Sequence, residues 1–178
     1  MCVHHSGNAE PAFFQGRPLR LRELQANDRA RIEALLAQVA APDLQMRFFS
    51  VFHRVPPALL DHLTCIDPAQ RVTVAAVREG GCRKDAAEIL GVARAHRTAS
   101  DSAEAALLVR SDLKGEGLGS ILLGSLIARC RDWGVSRLMA EVMRRNSHML
   151  GLSRKYGFRC ESVHDDTCQL VLDLNSHG

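Results

Sequence analysis

The feature of this sequence that most limits its possible folds is a glycine-rich stretch at residues 109–119, which reads VRSDLKGEGLG. The apolar run 105–109 before it has the composition of a buried strand, and apolar residues recur at helical spacing from Leu118 to Trp133 after it. Glycine adopts backbone conformations closed to other residues, so successive N–H groups of such a loop can converge on an anion at the positive end of the helix. The pattern therefore predicts a strand, a phosphate-binding loop and a helix in succession.

Two other phosphate-binding loops match these residues less well. A Walker A loop carries Lys and then Ser or Thr after its last glycine, whereas Gly119 is followed by Ser120 and the lysine, Lys114, precedes the glycines. A dinucleotide-binding loop requires Gly-x-Gly-x-x-Gly, and its third glycine is missing. Glu141 does lie about twenty residues further on, where an acid that binds ribose is expected, so this second alternative stays open. No repeated strand and helix units surround the motif in support of it.

Length, composition and charge limit the number of domains and the classes of function that the chain can have. A chain of 178 residues with 46% hydrophobic residues predicts one domain with a sizeable core. We expect residues 1–16 to form an irregular leader, with His4 and His5 in it, and residues 17–178 to form the domain. The net charge of +3, with no dense Lys/Arg stripe, argues against nucleic-acid binding. No apolar run approaches the roughly twenty residues of a membrane-spanning helix, so we expect no membrane segment.

The six cysteines predict neither a metal site nor disulfides. They include no Cys-x-x-Cys pair and no histidine at ligand spacing, which argues against zinc. Cys65 and Cys130 have apolar sequence neighbours and are interpreted as small core residues. Together with the lack of a signal-peptide pattern, this favours a reducing, cytoplasmic location.

Hydrophobic periodicity predicts an α/β (α+β) fold: a mixed, mostly antiparallel central sheet with helices on both faces. Helices are expected after the cap at Asn27 or Asp28, over 45–65 with an interruption at Pro56 and Pro57, and over 117–133 and 147–156. Strands are expected near 19–25 and over 71–78, 88–97, 103–110, 136–142, 158–163 and 167–174.

The loop 114–119, KGEGLG, resembles the acyl-CoA motif Gln/Arg-x-x-Gly-x-Gly/Ala of the GCN5-related N-acetyltransferases (the GNAT family), with Lys114 in place of the usual glutamine or arginine. Within that family the chain is most similar to the acetyltransferase domain of bacterial protein lysine acetyltransferases that modify acyl-CoA synthetases. The resemblance covers roughly residues 18–174 and includes VRSDLKG at the loop and MRFFS at 46–50. It implies the GNAT fold, with acetyl-CoA as co-substrate and no metal.

The same resemblance implies the site residues. Glu104 matches the glutamate of the family's Ala-Glu-Phe-Ala-Val motif and is the candidate general base, although a glutamate near a strand's start is more often a solvated edge residue. We expect burial of Glu104 among alanines that leave room for a lysine side chain. The implied cofactor-binding residues are Leu107, Leu108, Val109, Lys114, Gly115, Glu116, Gly117, Leu118, Gly119, Ser120, Asn146 and Ser153.

Two of these positions carry a second interpretation. Asn146 precedes a helix and could equally be its N-cap, and both roles can hold together. Ser153 occupies the position where many family members carry a tyrosine that protonates the departing thiolate. Tyr156, three residues further on, is interpreted as a packing residue.

The function that the resemblance implies is transfer of an acetyl group from acetyl-CoA to an amine, most readily a lysine side chain of a protein such as an acyl-CoA synthetase. Two alternatives stay open: acetylation of a small-molecule amine, and an acyl-CoA-binding regulatory module without turnover. Glu104 distinguishes the enzyme from the module, because a pure binder needs no base there.

Overall fold

The computed structural model describes residues 9–52, 55–80 and 87–175. Within these ranges eight strands form one sheet in the order β1-β2-β3-β4-β5-β6-β8-β7. The strands are β1 (Glu10–Phe14), β2 (Arg17–Arg22), β3 (Arg71–Arg78), β4 (Glu88–Arg97), β5 (Ser102–Val109), β6 (Arg137–Met143), β7 (Arg159–His164) and β8 (Thr167–Asp173).

The helices cover both faces of the sheet. They are α1 (Arg29–Ala37), α2 (Ala41–Phe48), α3 (Pro57–Thr64), α4 (Leu118–Asp132) and α5 (Ser147–Lys155). α2 and α3 each begin with a proline in the first turn, at Pro42 and Pro57, where the missing N–H costs no helical hydrogen bond.

Two hydrophobic clusters lie on opposite faces. One joins α1, α2 and α3 to the sheet through residues such as Leu35, Leu44 and Leu60, and the other packs α4 against the opposite face. Successive side chains of a strand point to opposite faces. Glu104, Ala106 and Leu108 of β5 therefore face α1–α3, while Ala103, Ala105 and Leu107 face α4.

The position of the cleft follows from one strand pair. β5 and β6 are parallel, and only residues 102–104 pair with residues 137–139. The other neighbouring strands of the described sheet are antiparallel. Beyond Glu104 and Met139 the two parallel strands diverge, and a cleft opens between them at their carboxyl ends.

The predicted fold class is confirmed, but part of the predicted irregular leader is wrong. Glu10–Phe14 forms β1, which pairs with β2 in register from Glu10 opposite Leu21 to Phe14 opposite Arg17. Gln15 and Gly16 both have positive φ and turn the chain, which buries Phe14. Pro11 and the adjacent Phe13 and Phe14 interrupt the alternation by which a strand is recognised in a sequence. His4 and His5 lie outside the described residues.

The two cysteines expected in the core have different environments. Cys130 of α4 is completely buried, and burial raises the pKa of its thiol to about 12. Cys65, by contrast, is exposed just after α3. Its apolar sequence neighbours belong to the helix that ends before it, so the prediction of a core position was wrong for Cys65.

Candidate active site

A cavity of about 300 Å³ occupies the divergence of β5 and β6. Its walls are Glu104 to Val109 of β5, Ala140 to Val142 of β6, one face of α2 and the glycine loop before α4. The structure thus brings the candidate base and the candidate phosphate loop into one cavity.

Most of the predicted site residues line this cavity. They are Glu104, Leu107, Leu108, Val109, Lys114, Gly115, Gly117, Gly119, Ser120 and Asn146. Glu116, Leu118 and Ser153 do not line it. Leu118 is completely buried in the core beneath the loop, and Glu116 is exposed.

The glycine loop has the conformation of an anion cradle. Gly115 and Gly117 adopt positive φ values of 81° and 94°, which side chains disfavour, and a Cβ at either would meet nothing within 4 Å. Gly117 is the N-cap of α4, and no side chain caps that helix. The first N–H groups of a helix have no acceptor within it, so this end of α4 presents free donors and positive potential. The loop fits a diphosphate.

Lys114 connects the loop to α2. Its Nζ lies 2.5 Å from Oδ1 of Asp43, and the Ser111 hydroxyl donates to the other carboxylate oxygen, also at 2.5 Å. Burial would raise the pKa of Asp43, but these two hydrogen bonds outweigh burial and hold the pKa below its usual value. Asp43 therefore remains a carboxylate and fixes α2 against the loop.

Asn146 is the N-cap of α5. Its Oδ1 accepts a hydrogen bond from the backbone N–H of Met149 at 3.1 Å. Asn146 also lines the cavity, and its amide NH₂ makes no hydrogen bond with the described residues. The N-cap interpretation is confirmed, and the cap leaves a donor for a ligand.

Neither Ser153 nor Tyr156 lines the cavity. The Ser153 side chain is completely buried, and its hydroxyl finds no hydrogen-bond partner among the described residues. Tyr156 packs on α4, where a Cβ at Gly124 would lie 2.9 Å from the Tyr156 oxygen. The predicted packing role of Tyr156 agrees with this contact.

The surroundings of Glu104 differ from the expected alanine pocket, because the side chain is exposed at the mouth of the cleft. His96 lies directly opposite it on β4, and Arg47 of α2 lines the same cavity. Burial lowers the pKa of the Arg47 guanidinium to about 10, and the charge of Glu104 opposes this effect. The expectation of burial was wrong because Glu104 lines a cavity that leaves its side chain accessible to solvent.

Several cavity residues could not be assigned from the sequence. Asp43, Met46, Arg47, Phe49 and His148 line the cavity. Met46, Arg47 and Phe49 belong to the stretch 46–50, which resembles the family, but the resemblance assigned no function to these three residues.

The described residues contain neither a metal-binding group nor a membrane-spanning helix. In residues 9–52, 55–80 and 87–175, no group of three or more His, Cys, Asp or Glu side chains is arranged to hold a metal ion. No helix in those ranges is long and apolar enough to cross a membrane.

Comparison with known proteins identifies the family. Residues 39–158 match the model of the acetyltransferase (GNAT) family. The chain is 28% identical to acetyltransferase PA5475 of Pseudomonas aeruginosa over 158 residues, which are 88% of this chain and 83% of that protein. The chain therefore belongs to the GNAT family and is an N-acetyltransferase.

Solved structures agree with this assignment. The GNAT domain of S. lividans PAT superposes with a TM-score of 0.83 at 26% identity, over 93% of this chain and 96% of that domain. A variant of the cAMP-binding acyltransferase from Mycobacterium smegmatis gives a TM-score of 0.61 at 25% identity. That alignment covers 93% of this chain and 47% of the larger protein, so the chain spans about half its length.

Proposed function

We propose that this enzyme transfers the acetyl group of acetyl-CoA to the side-chain amine of a lysine in a protein, by direct attack with Glu104 as general base. The observation that carries the proposal is that Glu104 and the glycine loop line one cavity, at the point where β5 and β6 diverge. A phosphate-bearing thioester and an entering amine can meet there.

Acetyl-CoA would be held by the loop and by β5. The N–H groups of residues 114–120 would bind its pyrophosphate, supported by the open space at Gly115 and Gly117 and by the uncapped start of α4. Leu107 to Val109 and the free amide of Asn146 would bind the pantetheine arm. The thioester would then lie toward Glu104.

The reaction requires removal of two protons from the lysine nitrogen and departure of one thiolate. A lysine ammonium has a pKa of about 10.4, so Glu104 would accept its first proton, directly or through a water. The neutral amine nitrogen then forms a bond to the acetyl carbon, the carbon–sulfur bond breaks, and the second proton passes from the nitrogen to the thiolate, which leaves the amide and the CoA thiol. A thiol has a pKa near 8.5, so the thiolate can leave without a phenol. This agrees with Ser153 in the tyrosine position and with Tyr156 on α4.

A protein acceptor is supported by two observations. The GNAT domain of PAT, a protein acetyltransferase, superposes on nearly the whole chain. Glu104 is exposed at an open mouth beside Phe49, whose side chain is 40% exposed. A lysine on a protein surface could enter such a mouth without burial of its backbone. We also propose a cytoplasmic location, supported by the free thiols of the four described cysteines.

Mass spectrometry tests the proposal. Acyl-CoA synthetases incubated with acetyl-CoA and the enzyme should gain one acetyl group at a defined lysine, and the Glu104→Gln variant should leave them unmodified over the same time. Free amines acetylated in place of protein lysines would favour the small-molecule alternative. Tight binding of acetyl-CoA without any product would favour a regulatory module.

A further inference from the structure

A row of ionisable side chains crosses the sheet beside the cavity. Arg71 of β3 lies opposite His96 of β4, and His96 lies opposite Glu104 of β5. Directly paired residues share a face, with Cβ atoms about 4.5–5.5 Å apart. This is the face that α2 and α3 cover.

Two arginines of this region are anchored by backbone carbonyls. Arg94, two residues before His96 on the same face, is buried and donates to the carbonyl oxygens of His62, at 3.1 Å, and Leu63. Arg71 donates to the same His62 carbonyl at 3.1 Å. Both cations therefore stabilise the carboxyl end of α3, where positive charge is favourable. Neither forms an ion pair with any carboxylate of the described chain.

Arg47 reaches the cavity itself. Its guanidinium lies 4.7 Å from the centre of the Phe48 ring, and it makes no hydrogen bond or ion pair within the parts of the chain that are described. A guanidinium has five N–H donors and remains charged at neutral pH. Arg47 is thus a half-buried cation in the wall of the site, with donors available to a ligand.

We call Arg47, His62, Arg71, Arg94 and His96 the cationic cluster. Its three arginines carry three positive charges, and Glu104 and Glu141 of the cavity wall carry two negative charges, which leaves a local charge of about +1. Of the three arginines, Arg47 is the one whose charge interacts with Glu104. The remaining carboxylate of the cavity wall, that of Asp43, is paired with Lys114. Burial and the neighbouring Arg71 and Arg94 lower the pKa of His62, so it adds no charge at neutral pH.

This charge imposes a condition on the acceptor. An isolated lysine would bring one more positive charge to the cationic cluster and be repelled. An acceptor that supplies its own carboxylates beside the lysine would overcome this repulsion, because they would pair with the cations of the cluster.

We propose that the enzyme selects lysines flanked by aspartate or glutamate in the acceptor protein, with Arg47 as the residue that pairs with a flanking carboxylate. This inference rests on the proposed protein lysine acetylation and adds to it the charge of the sequence around the lysine.

The test uses three peptides of equal length with one lysine, flanked on both sides by two glutamates, two glutamines or two arginines. The full chain should give kcat/KM at least about tenfold higher for the glutamate peptide than for the arginine peptide, and the difference should shrink at high salt. Arg47→Gln should reduce that ratio by about three- to tenfold, Arg47→Lys should preserve most of it, and Arg47→Glu should favour the arginine peptide.

The matched control is Arg17→Gln, which removes an exposed arginine in the edge hairpin of β1 and β2 and should leave the ratio unchanged. Equal kcat/KM for all three peptides, or a ratio unaffected by Arg47→Gln, would overturn the selectivity and leave lysine acetylation standing. Failure to acetylate any peptide or protein, with free amines accepted, would overturn the proposed function and this inference with it. If Arg47→Gln does not fold, the three peptides compared at low and high salt with the wild-type enzyme still test the selectivity.

Discussion

The phenol of Tyr156 donates a hydrogen bond to the backbone carbonyl oxygen of Ser120, at 2.6 Å. The contact joins the end of α5 to the first turn of α4, beside the loop that would hold the pyrophosphate. The Tyr156 side chain does not line the cavity. Its hydroxyl is therefore occupied in holding two helices together.

Tyr156→Phe should leave turnover within a few-fold of the wild type and cost about 1 kcal/mol of unfolding free energy, because the ring keeps its packing and one hydrogen bond is lost. Steady-state kinetics and urea denaturation measure the two quantities. A hundredfold loss of kcat in a stably folded variant would instead show that the phenol protonates the leaving thiolate.

Gly117→Val should weaken acetyl-CoA binding by a large factor, since a side chain would enter the space of the phosphates and strain the positive φ of 94°. Isothermal titration calorimetry measures the affinity. Gly134→Val is the matched control: Gly134 follows α4 with a φ of 78°, and its Cβ would also meet nothing within 4 Å. Both variants should lose similar stability, but only Gly117→Val should lose affinity. Unchanged affinity in Gly117→Val would exclude this position for the pyrophosphate.

Asp28 offers a test of stability against pH. Its carboxylate is completely buried and accepts two hydrogen bonds from Arg22, at 2.6 and 2.8 Å, and one from Arg31. Burial would raise the pKa of Asp28, but the hydrogen bonds and the charge of Arg22 outweigh it and lower the pKa. Its stabilisation is then complete above the unfolded value of about 3.9 and is lost as the pH falls through the lower folded value.

Asp28→Asn should therefore cost about 3 kcal/mol of unfolding free energy at neutral pH, because it leaves buried arginine charge unpaired. The deficit relative to the wild type should shrink below about pH 4. Urea denaturation across the pH range measures this. Asp61→Asn, which removes an exposed ion pair with Arg29, should cost less than about 1 kcal/mol. A deficit for Asp28→Asn that is constant with pH would show that packing, not charge, stabilises this site.

Local pattern was sufficient for most of the fold and for the glycine loop, whereas the other candidate site residues were assigned from the resemblance to the family. The β-rich runs 71–78 and 88–97 predicted β3 and β4, and the glycine spacing predicted the loop, because strands, helices and turns are governed by neighbours in sequence. The cavity wall contributed by α2 was not predictable in this way. Lys114 and Asp43 are 71 residues apart, and only the packing of α2 on the loop brings them together. The same holds for Arg47 and Glu104, so local pattern could not show that the candidate base lies near an arginine.

The sharpest test concerns Glu104 itself. Glu104→Gln should lower kcat by roughly 10² to 10⁴, the usual contribution of a positioned base, and leave acetyl-CoA affinity nearly unchanged. The pH–rate profile should also lose its acidic limb, because the group that must be deprotonated is gone. Stopped-time assays with a protein or peptide acceptor across pH measure both effects.

The chain supplies a matched control for this prediction in Glu141→Gln. Glu141 lies on β6 in the wall of the same cavity and accepts a hydrogen bond from the Thr167 hydroxyl at 2.9 Å. The Thr167 hydroxyl already occupies one of its carboxylate oxygens, so its amide variant should retain turnover within a few-fold. If Glu104→Gln turns over like the wild type, the base lies elsewhere. His96, directly opposite Glu104 on β4, is then the first candidate. Asp101, just before β5, is the second, because hydrogen bonds from Ser102 and Ser136 lower the pKa of its carboxyl group and occupy it.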